Sequence, residues 1–334
     1  MSSCDNLNDT LDKTSDAVEL GLSISRYVLT IIGVVANLMV IIVFINCKIY
    51  RKCFTYLLLF QQASIDLFGC CFYLILFNYR VPDGEYGIVY CKSRTLFWMF
   101  ASASTFNLVF ISIERYIAVL HPLKYWMRGK VRTKMVPKLC VPWLFAILVV
   151  FQLAILSVPD KLSPGKCRYC YSSGTVRIIS GGSIFLLNWI IPIFVMTFCY
   201  RRVYITMQNP TINLHKSSSS VQIDRTDETT DDTETKDNVF TVEGSQKQYY
   251  SKTQKNFIVT MVITTIVFAV SISPLLIVYL VYVLCDCFDY DRHPFRQAAI
   301  ICFVSSLAAN PFVYAFKFNE FKIGFEKTFI RRRH

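Results

Sequence analysis

Charge is scarce in this chain over lengths where a soluble protein would carry it. Among its 334 residues, seven segments have no ionisable side chain, or nearly none: 27–47, 53–79, 95–113, 139–159, 178–200, 256–285 and 297–316. Only Asp66 interrupts these runs with a carboxylate. Histidine is equally sparse. The chain has four, at 121, 215, 293 and 334, all outside the apolar runs. An enzyme working inside a bilayer needs a catalytic pair there, two aspartates or a serine with a histidine, and Asp66 has no acidic partner. Internal repeats and further midplane charges are missing too, which weighs against a transporter, though a channel or transporter using Asp66 as its ion site stays open as an alternative. A basic groove interleaved with aromatics is also absent, so nucleic acid is not an expected partner. The two cysteines of the 160–177 stretch, Cys167 and Cys170, have no second pair nearby, which argues against a zinc site.

What is present is apolar. Hydrophobic residues make up 54% of the chain, more than a soluble domain of this size carries. About 20 apolar residues cross a hydrocarbon core as a helix, which satisfies its own backbone. The fold expected is therefore an all-α membrane protein, a seven-transmembrane helix bundle. No apolar stretch precedes Tyr27, so the first helix is expected to act as its own signal anchor.

The net charge is +12, and its placement is asymmetric. Lys48, Arg51 and Lys52 follow the first run; Lys124, Arg128, Lys130, Arg132, Lys134 and Lys138 follow the third; Lys317, Lys322, Lys327 and Arg331 to Arg333 fill the tail. Residues 1–26 instead carry Asp5, Asp9, Asp12, Asp16 and Glu19 against Lys13 and Arg26. The positive-inside rule puts this arm outside the cell and the tail in the cytoplasm, the basic loops facing anionic lipid. Asn8 opens a glycosylation sequon on the outer arm. Residues 209–248 are rich in Ser, Thr and acids, so 205–252 is expected to be a disordered cytoplasmic loop, with Ser217–Ser220 and Thr229–Thr235 open to phosphorylation. After residue 316, Phe318, Phe321, Phe325 and Phe329 recur at helical spacing between lysines, the pattern of a short amphipathic eighth helix over 317–334 on the inner leaflet. Of the thirteen cysteines, Cys4, Cys91, Cys167, Cys170, Cys285 and Cys287 face the oxidising side and can bridge.

Several residues stand out against this apolar background. Glu114 and Arg115 sit side by side, before Tyr116, where the third helix leaves the membrane. Paired ions at that depth mark a functional site, although a helix-end snorkel is the plain alternative. Asp66 carries the same implication, against the plain reading of a water-bonded structural acid. Pro274 and Pro311 lie inside apolar runs and are expected to kink their helices.

Together these landmarks resemble the rhodopsin-like (class A) G-protein-coupled receptors. The resemblance spans about 25–329, apart from the third inner loop, and rests on residues in order along the chain: Asn37; Asp66; Cys91 with Glu114, Arg115 and Tyr116; Trp143; Pro192 with Tyr200; Phe268 with Pro274; Asn310, Pro311 and Tyr314; then Phe321. It implies that Glu114 holds Arg115 at rest and that Arg115 meets a heterotrimeric G protein on activation. Tyr200 and Tyr314 then close in behind it, and Phe268, Pro274, Asn310 and Pro311 form the hinge. Pro122 and Leu123 resemble the apolar plug inserted into the G protein. Asp66, Ser104, Ser306 and Asn310 resemble the family's sodium pocket. The resemblance also implies a disulfide from Cys91 to Cys167 or Cys170, arrestin and receptor kinase as further partners, and a plasma-membrane location. The chain departs from the pattern at several points. Ile272 stands where a tryptophan is usual, and Gln254, between Lys252 and Lys255, stands where an acid often holds the arginine, so raised ligand-free signalling is expected. Cys91 lies one residue closer to the arginine than usual, and no cysteine follows Tyr314 to carry a palmitoyl anchor.

The ligand class follows partly by exclusion. Amine receptors of this family use an acid in the outer third helix, and none lies between Lys92 and Ile113. Light receptors need a seventh-helix lysine, and 297–316 has none. A peptide, of the kind bound by neuropeptide receptors, is the expected ligand, with a small non-amine ligand or a constitutively active receptor as alternatives. The outer rim is mainly basic, with Arg80, Lys92, Arg94, Lys161, Lys166, Arg168, Arg177, Arg292 and Arg296 against Asp286, Asp289 and Asp291. Phe97, Trp98 and Phe100 are candidate pocket residues. Cys4 is a candidate partner for Cys285 or Cys287, which are too close together to pair comfortably with each other.

Overall fold

The computed structural model describes residues 2–122, 125, 136–161, 165–208, 233–285, 294–317 and 319–330; side chains are described from residue 18, except 19, 136, 233–255, 257, 294 and 314–317. Among the described residues, seven helices are long and apolar enough to cross a membrane: Leu20–Asn46, Phe54–Leu76, Glu85–Leu120, Pro137–Leu156, Gly174–Gln208, Ile258–Cys285 and Phe295–Val313. Each overlaps one of the seven charge-poor runs. Large apolar side chains point outward, Leu148 at 75% exposure and Phe194 at 71% among them. Water would penalise such a surface and hydrocarbon would not.

The elements in order are α1 (Ser2–Asn46), a 3-10 turn (Ile49–Arg51), α2 (Phe54–Leu76), α3 (Glu85–Ser93), α4 (Thr95–Leu120), a 3-10 turn (Val136–Cys140), α5 (Val141–Leu156), β1 (Ser157–Pro159), β2 (Cys167–Tyr169), α6 (Gly174–Phe185), a π turn (Leu186–Ile190), α7 (Ile191–Gln208), α8 (Thr233–Cys285), α9 (Pro294–Lys317), α10 (Asn319–Phe325) and a π turn (Glu326–Ile330). The third span is α3 plus α4, meeting at Arg94, and the fifth is α6 plus α7, meeting at the π turn. Pro192 lies inside this continuous span, just after the π turn. Pro274 and Pro311 lie inside α8 and α9.

α4 is the central strut, packed against α2, α5 and α7, while α9 lies against α1 and α8. Small residues allow close crossings. A Cβ on Gly181 of α6 would fall 2.4 Å from Val283 of α8, and one on Gly33 of α1 would fall 2.7 Å from the Cys70 sulfur. Hydroxyls within the apolar bundle turn back on their own helix. Thr30, Ser64, Thr105, Ser112, Thr260 and Thr264 each donate to the carbonyl four residues earlier.

Three boundaries differ from the sequence-based expectation. The third span starts at Glu85, behind the turn at Gly84, and Cys91 lies inside it. α1 runs back through the arm to Ser2, because no proline and only Gly21 interrupts it. α8 is helical from Thr233, inside the 205–252 segment expected to be disordered; Glu243 and Lys247 are spaced as a supporting i,i+4 pair. Residues 209–232, with the candidate phosphorylation sites Ser217–Ser220, Thr229 and Thr230, lie outside the described residues.

α10 docks on α1 and the 49–51 turn. Phe321 is buried, Cys47 Sγ donates to Gly324 O at 3.6 Å, and Lys52 pairs with Glu320. Ring contacts continue outward from Phe321 to Phe325 and Phe329. One face of the short helix is thus in the protein, and Ile323 stays exposed.

Candidate functional site

The middle of the bundle holds a buried polar cluster around Asp66. A buried carboxylate is unfavourable unless donors surround it. Here Oδ1 accepts from Gln62 Nε2 at 3.0 Å and Ser104 Oγ at 2.8 Å, and Oδ2 accepts from Gln62 Nε2 at 3.1 Å and Asn310 Nδ2 at 2.7 Å. Gln62 Oε1 in turn accepts from Asn107 Nδ2 at 2.8 Å. α2, α4 and α9 are tied together at one point. Asn37 extends the tie to α1, donating to Leu307 O at 2.9 Å.

Of the four residues expected to hold sodium, three meet: Asp66, Ser104 and Asn310. Ser306 Oγ donates instead to Phe303 O at 2.7 Å. The arrangement does not fit a hard cation, which takes oxygen ligands. Amide N–H groups of Gln62 and Asn310 point at the carboxylate lone pairs that a cation would use. Turning the Gln62 amide over would set its oxygen against Asp66 and its NH₂ against the NH₂ of Asn107, so the network selects the orientation described. Gln62 and Asn107 were not picked out from the sequence. The signal was there: Gln62 lies four residues before Asp66, on the same helix face.

The second group lies at the Arg115 end. Glu114 is buried and Arg115 half-buried in the last turns of α4. Tyr200 is buried on α7, its hydroxyl 2.8 Å from Ser112 Oγ. Arg115 acts electrostatically on Tyr56, Tyr125 and Tyr200, which come from three parts of the chain. Burial pushes the Tyr125 hydroxyl above its ordinary pKa. Cys53 and Glu114 push the same way, and Arg115 opposes them. The Tyr116 ring packs on Phe198 at 6.1 Å. Phe268 is buried in the core, and Pro122 is exposed. Leu123 and the side chains of Gln254 and Tyr314 lie outside the described residues.

The opposite end carries the disulfide. Cys91 of α3 bonds to Cys167 of β2, with S–S 2.00 Å and Cα–Cα 5.6 Å, while Cys170 is exposed and free. β1 and β2 pair antiparallel with Pro159 opposite Cys167, and Ser157 Oγ donates to Cys91 O at 2.9 Å. Strand register and disulfide therefore fix the same point of α3. Gly165, at φ +85°, makes the hairpin turn, and its carbonyl accepts from Val81 N. Cys285 is also disulfide-bonded. Its expected partners Cys4 and Cys287, with Asn8, Asp286, Asp289, Asp291 and Arg292, lie outside the described side chains.

Beneath the hairpin is a cavity of about 250 Å³ bounded by α1, α2, α9, the 78–80 loop and β2. A smaller polar gap, lined by Arg94, Arg296 and Trp98, leads from it toward a third, apolar cavity of about 50 Å³ whose wall includes Trp98, Ile272 and Phe303. Of the three aromatic pocket candidates only Trp98 borders a described cavity. Phe97 is fully buried among Tyr73, Phe77, Trp98 and Phe303, and Phe100 packs on Phe68, Phe72 and Trp143.

A bundle with this order of landmarks can be compared directly with known proteins. The sequence pattern of the 7 transmembrane receptor (rhodopsin family) matches residues 36–314. The chain belongs to that family. Over 317 residues it is 24% identical to the Substance-P receptor of Aquarana catesbeiana, covering 92% of this chain and 70% of that one. It is 28% identical over 191 residues to the C-C chemokine receptor type 8 of Homo sapiens (55% and 53% covered) and 29% identical over 195 residues to the Trace amine-associated receptor 1 of Mus musculus (54% and 56% covered). The protein is thus a multi-pass membrane receptor of the rhodopsin type and not an enzyme. The Arg115 end and the disulfide end are the two ends of that bundle.

Proposed function

We propose that this receptor binds an extracellular peptide at its disulfide end and activates a heterotrimeric G protein at its Arg115 end. The N-terminus is outside the cell, as the basic loops argue. In the resting state Arg115 is shut in among Tyr56, Tyr125 and Tyr200. Ligand binding favours a second arrangement in which α8 swings outward about Pro274, exposing Arg115 to the G protein, with Tyr200 and Tyr314 filling the space behind it. The ligand biases a two-state element rather than pushing on it. Arrestin, a receptor kinase and anionic lipid act on the same basic face.

The observation that carries this reading is the position of Arg115, half-buried at the end of α4 within electrostatic reach of three tyrosines from different elements. A guanidinium there serves as a gate, whereas a snorkelling one would face lipid. A peptide is favoured because two of the three relatives named above are the Substance-P receptor and a chemokine receptor. None of the described side chains that line the cavity beneath the hairpin is an acid of the kind that would hold an amine. Arg115→Ala tests the coupling. The variant is expected to reach the cell surface in parental amounts and to lose ligand-driven nucleotide exchange on the G protein. Full exchange by Arg115→Ala would overturn the proposal.

A further inference from the structure

Tyr200 is buried on α7, and one turn to either side of it Met196 and Val203 are fully buried. Its hydroxyl is therefore enclosed by protein and is costly unless it finds a partner there. The partner is Ser112 of α4, also fully buried, whose Oγ lies 2.8 Å from the Tyr200 oxygen and 2.8 Å from Leu108 O. A serine hydroxyl has one proton to give, and a carbonyl can only accept. The Ser112 proton is thus on Leu108 O, and the Tyr200 O–H donates to the Ser112 oxygen. The reverse assignment would set two acceptors against each other at 2.8 Å. Of the six back-bonded hydroxyls described above, Ser112 is the one with a described bond to another helix. It stands three residues before Arg115, on the same face of α4 and one turn farther into the bundle. Thr265 of α8 is the second polar neighbour of the Tyr200 hydroxyl, and Arg115 acts on that hydroxyl as well. One buried O–H is thus in touch with α4, α7 and α8.

Resting on the receptor reading above, in which Tyr200 moves to fill the space behind Arg115, we propose that Ser112 is a positioning residue. It parks the Tyr200 hydroxyl on α4, and the strength of that hold sets how often the ligand-free bundle opens. Outward movement of α8 takes Thr265 away from the hydroxyl and leaves Ser112 as the remaining hold. Tyr200 changes place only after its O–H has left Ser112, so whatever weakens that bond favours the open arrangement. Ser112 acts through Tyr200, because its own side chain is closed off from solvent. Thr265 keeps part of the hold when Ser112 is lost, so the effect of losing Ser112 is that of one neutral hydrogen bond, about threefold to tenfold in a two-state equilibrium.

The test uses the full chain in phosphatidylcholine nanodiscs, with no ligand. Two measurements need no G protein. In thermal unfolding, Ser112→Ala and Tyr200→Phe together are expected to lower the midpoint by less than the sum of their separate effects, since both remove the same bond. In fluorine NMR of the chain labelled with 3-fluorotyrosine, the Tyr200 signal is the one missing from Tyr200→Phe. Ser112→Ala is expected to move intensity of that signal to a second position. Ser64→Ala is the matched control, a back-bonded hydroxyl whose described bond is to Phe60 O alone, and should leave the Tyr200 signal in place. The third measurement adds a panel of purified heterotrimeric G proteins. Ser112→Ala should raise ligand-free nucleotide exchange about threefold to tenfold over the parent, and Ser64→Ala should not. Additive melting losses, or an unmoved Tyr200 signal in Ser112→Ala, overturn the parking of Tyr200. Parental exchange by Ser112→Ala, on a G protein that the parent does drive, overturns its control of opening. A moved Tyr200 signal with no exchange from any chain, the parent included, strikes the receptor reading and leaves the Ser112 hold standing.

Discussion

Gln62 Nε2 donates to both carboxylate oxygens of Asp66, at 3.0 and 3.1 Å. Its other end is held by Asn107, so the amide cannot turn without losing bonds at both ends. The side chain therefore stands over the carboxylate face that a sodium ion would need. Thermal unfolding is expected to be the same in sodium chloride and in choline chloride. Gln62→Leu frees that face. It should lose some stability, because a buried donor set is broken, by about 1–3 kcal/mol. It should also gain a sodium-specific rise in melting temperature that grows with the logarithm of sodium concentration. A saturating sodium effect on the parent protein would contradict this.

Ile272 stands where the family usually has a tryptophan, in the wall of the apolar cavity that Phe303 and Leu275 also line. With a smaller side chain there, α8 is held less firmly against α9. The receptor without ligand is expected to speed nucleotide exchange on a G protein severalfold over empty nanodiscs. Rates indistinguishable from empty nanodiscs would show that the resting state is held elsewhere.

Much of this was legible in the sequence, and the rest was hidden for particular reasons. The seven spans were readable because hydrocarbon excludes charge, and Asp66 drew notice because it breaks that rule. The disulfide partner was not readable: Cys167 and Cys170 are three residues apart in one loop, and only the pairing of Pro159 with Cys167 brings the first of them to Cys91. Phe97 and Trp98 are adjacent aromatics, and in a membrane helix the lipid side is as apolar as the core, so the pattern does not say which one looks inward. Gln62 was overlooked because a neutral amide does not announce itself as a charge does. The cations that line the cavity beneath the hairpin were visible only as a basic rim, since they lie far apart in the chain.

Gly324 lets α10 lie directly on α1. A Cβ there would sit 2.8 Å from Val43 Cγ1 and 3.2 Å from Ile49 Cδ1, both on buried residues that cannot retreat. Gly324→Ala should lift the helix, weakening the Cys47 and Lys52–Glu320 contacts, and lower stability by about 1–3 kcal/mol. Gly21→Ala is the matched control, since nothing lies within 4 Å of its added Cβ. Thermal midpoints and surface expression of the two variants measure the difference. Equal values would mean that α10 is not docked as described.

Tyr125 supplies a pH dependence whose sign can be worked out. Its hydroxyl is raised above the ordinary 10.0 by burial first, then by Cys53 and Glu114, with a hydrogen bond to Thr55 and the charge of Arg115 pulling the other way. The folded protein therefore keeps this proton to higher pH than the unfolded chain does. From about pH 10 upward the native state binds more protons, so stability falls with rising pH. The contribution is whole below that point and disappears as pH climbs through the folded value. Tyr125→Phe has no proton to lose. Its melting temperature is expected to run parallel to that of the parent from about pH 6 to 9, with the parent dropping away from it above about pH 10. Difference absorbance of tyrosinate should show one late-titrating group missing from the variant. Parallel melting curves throughout the alkaline range would place Tyr125 in solvent and remove it from the enclosure around Arg115.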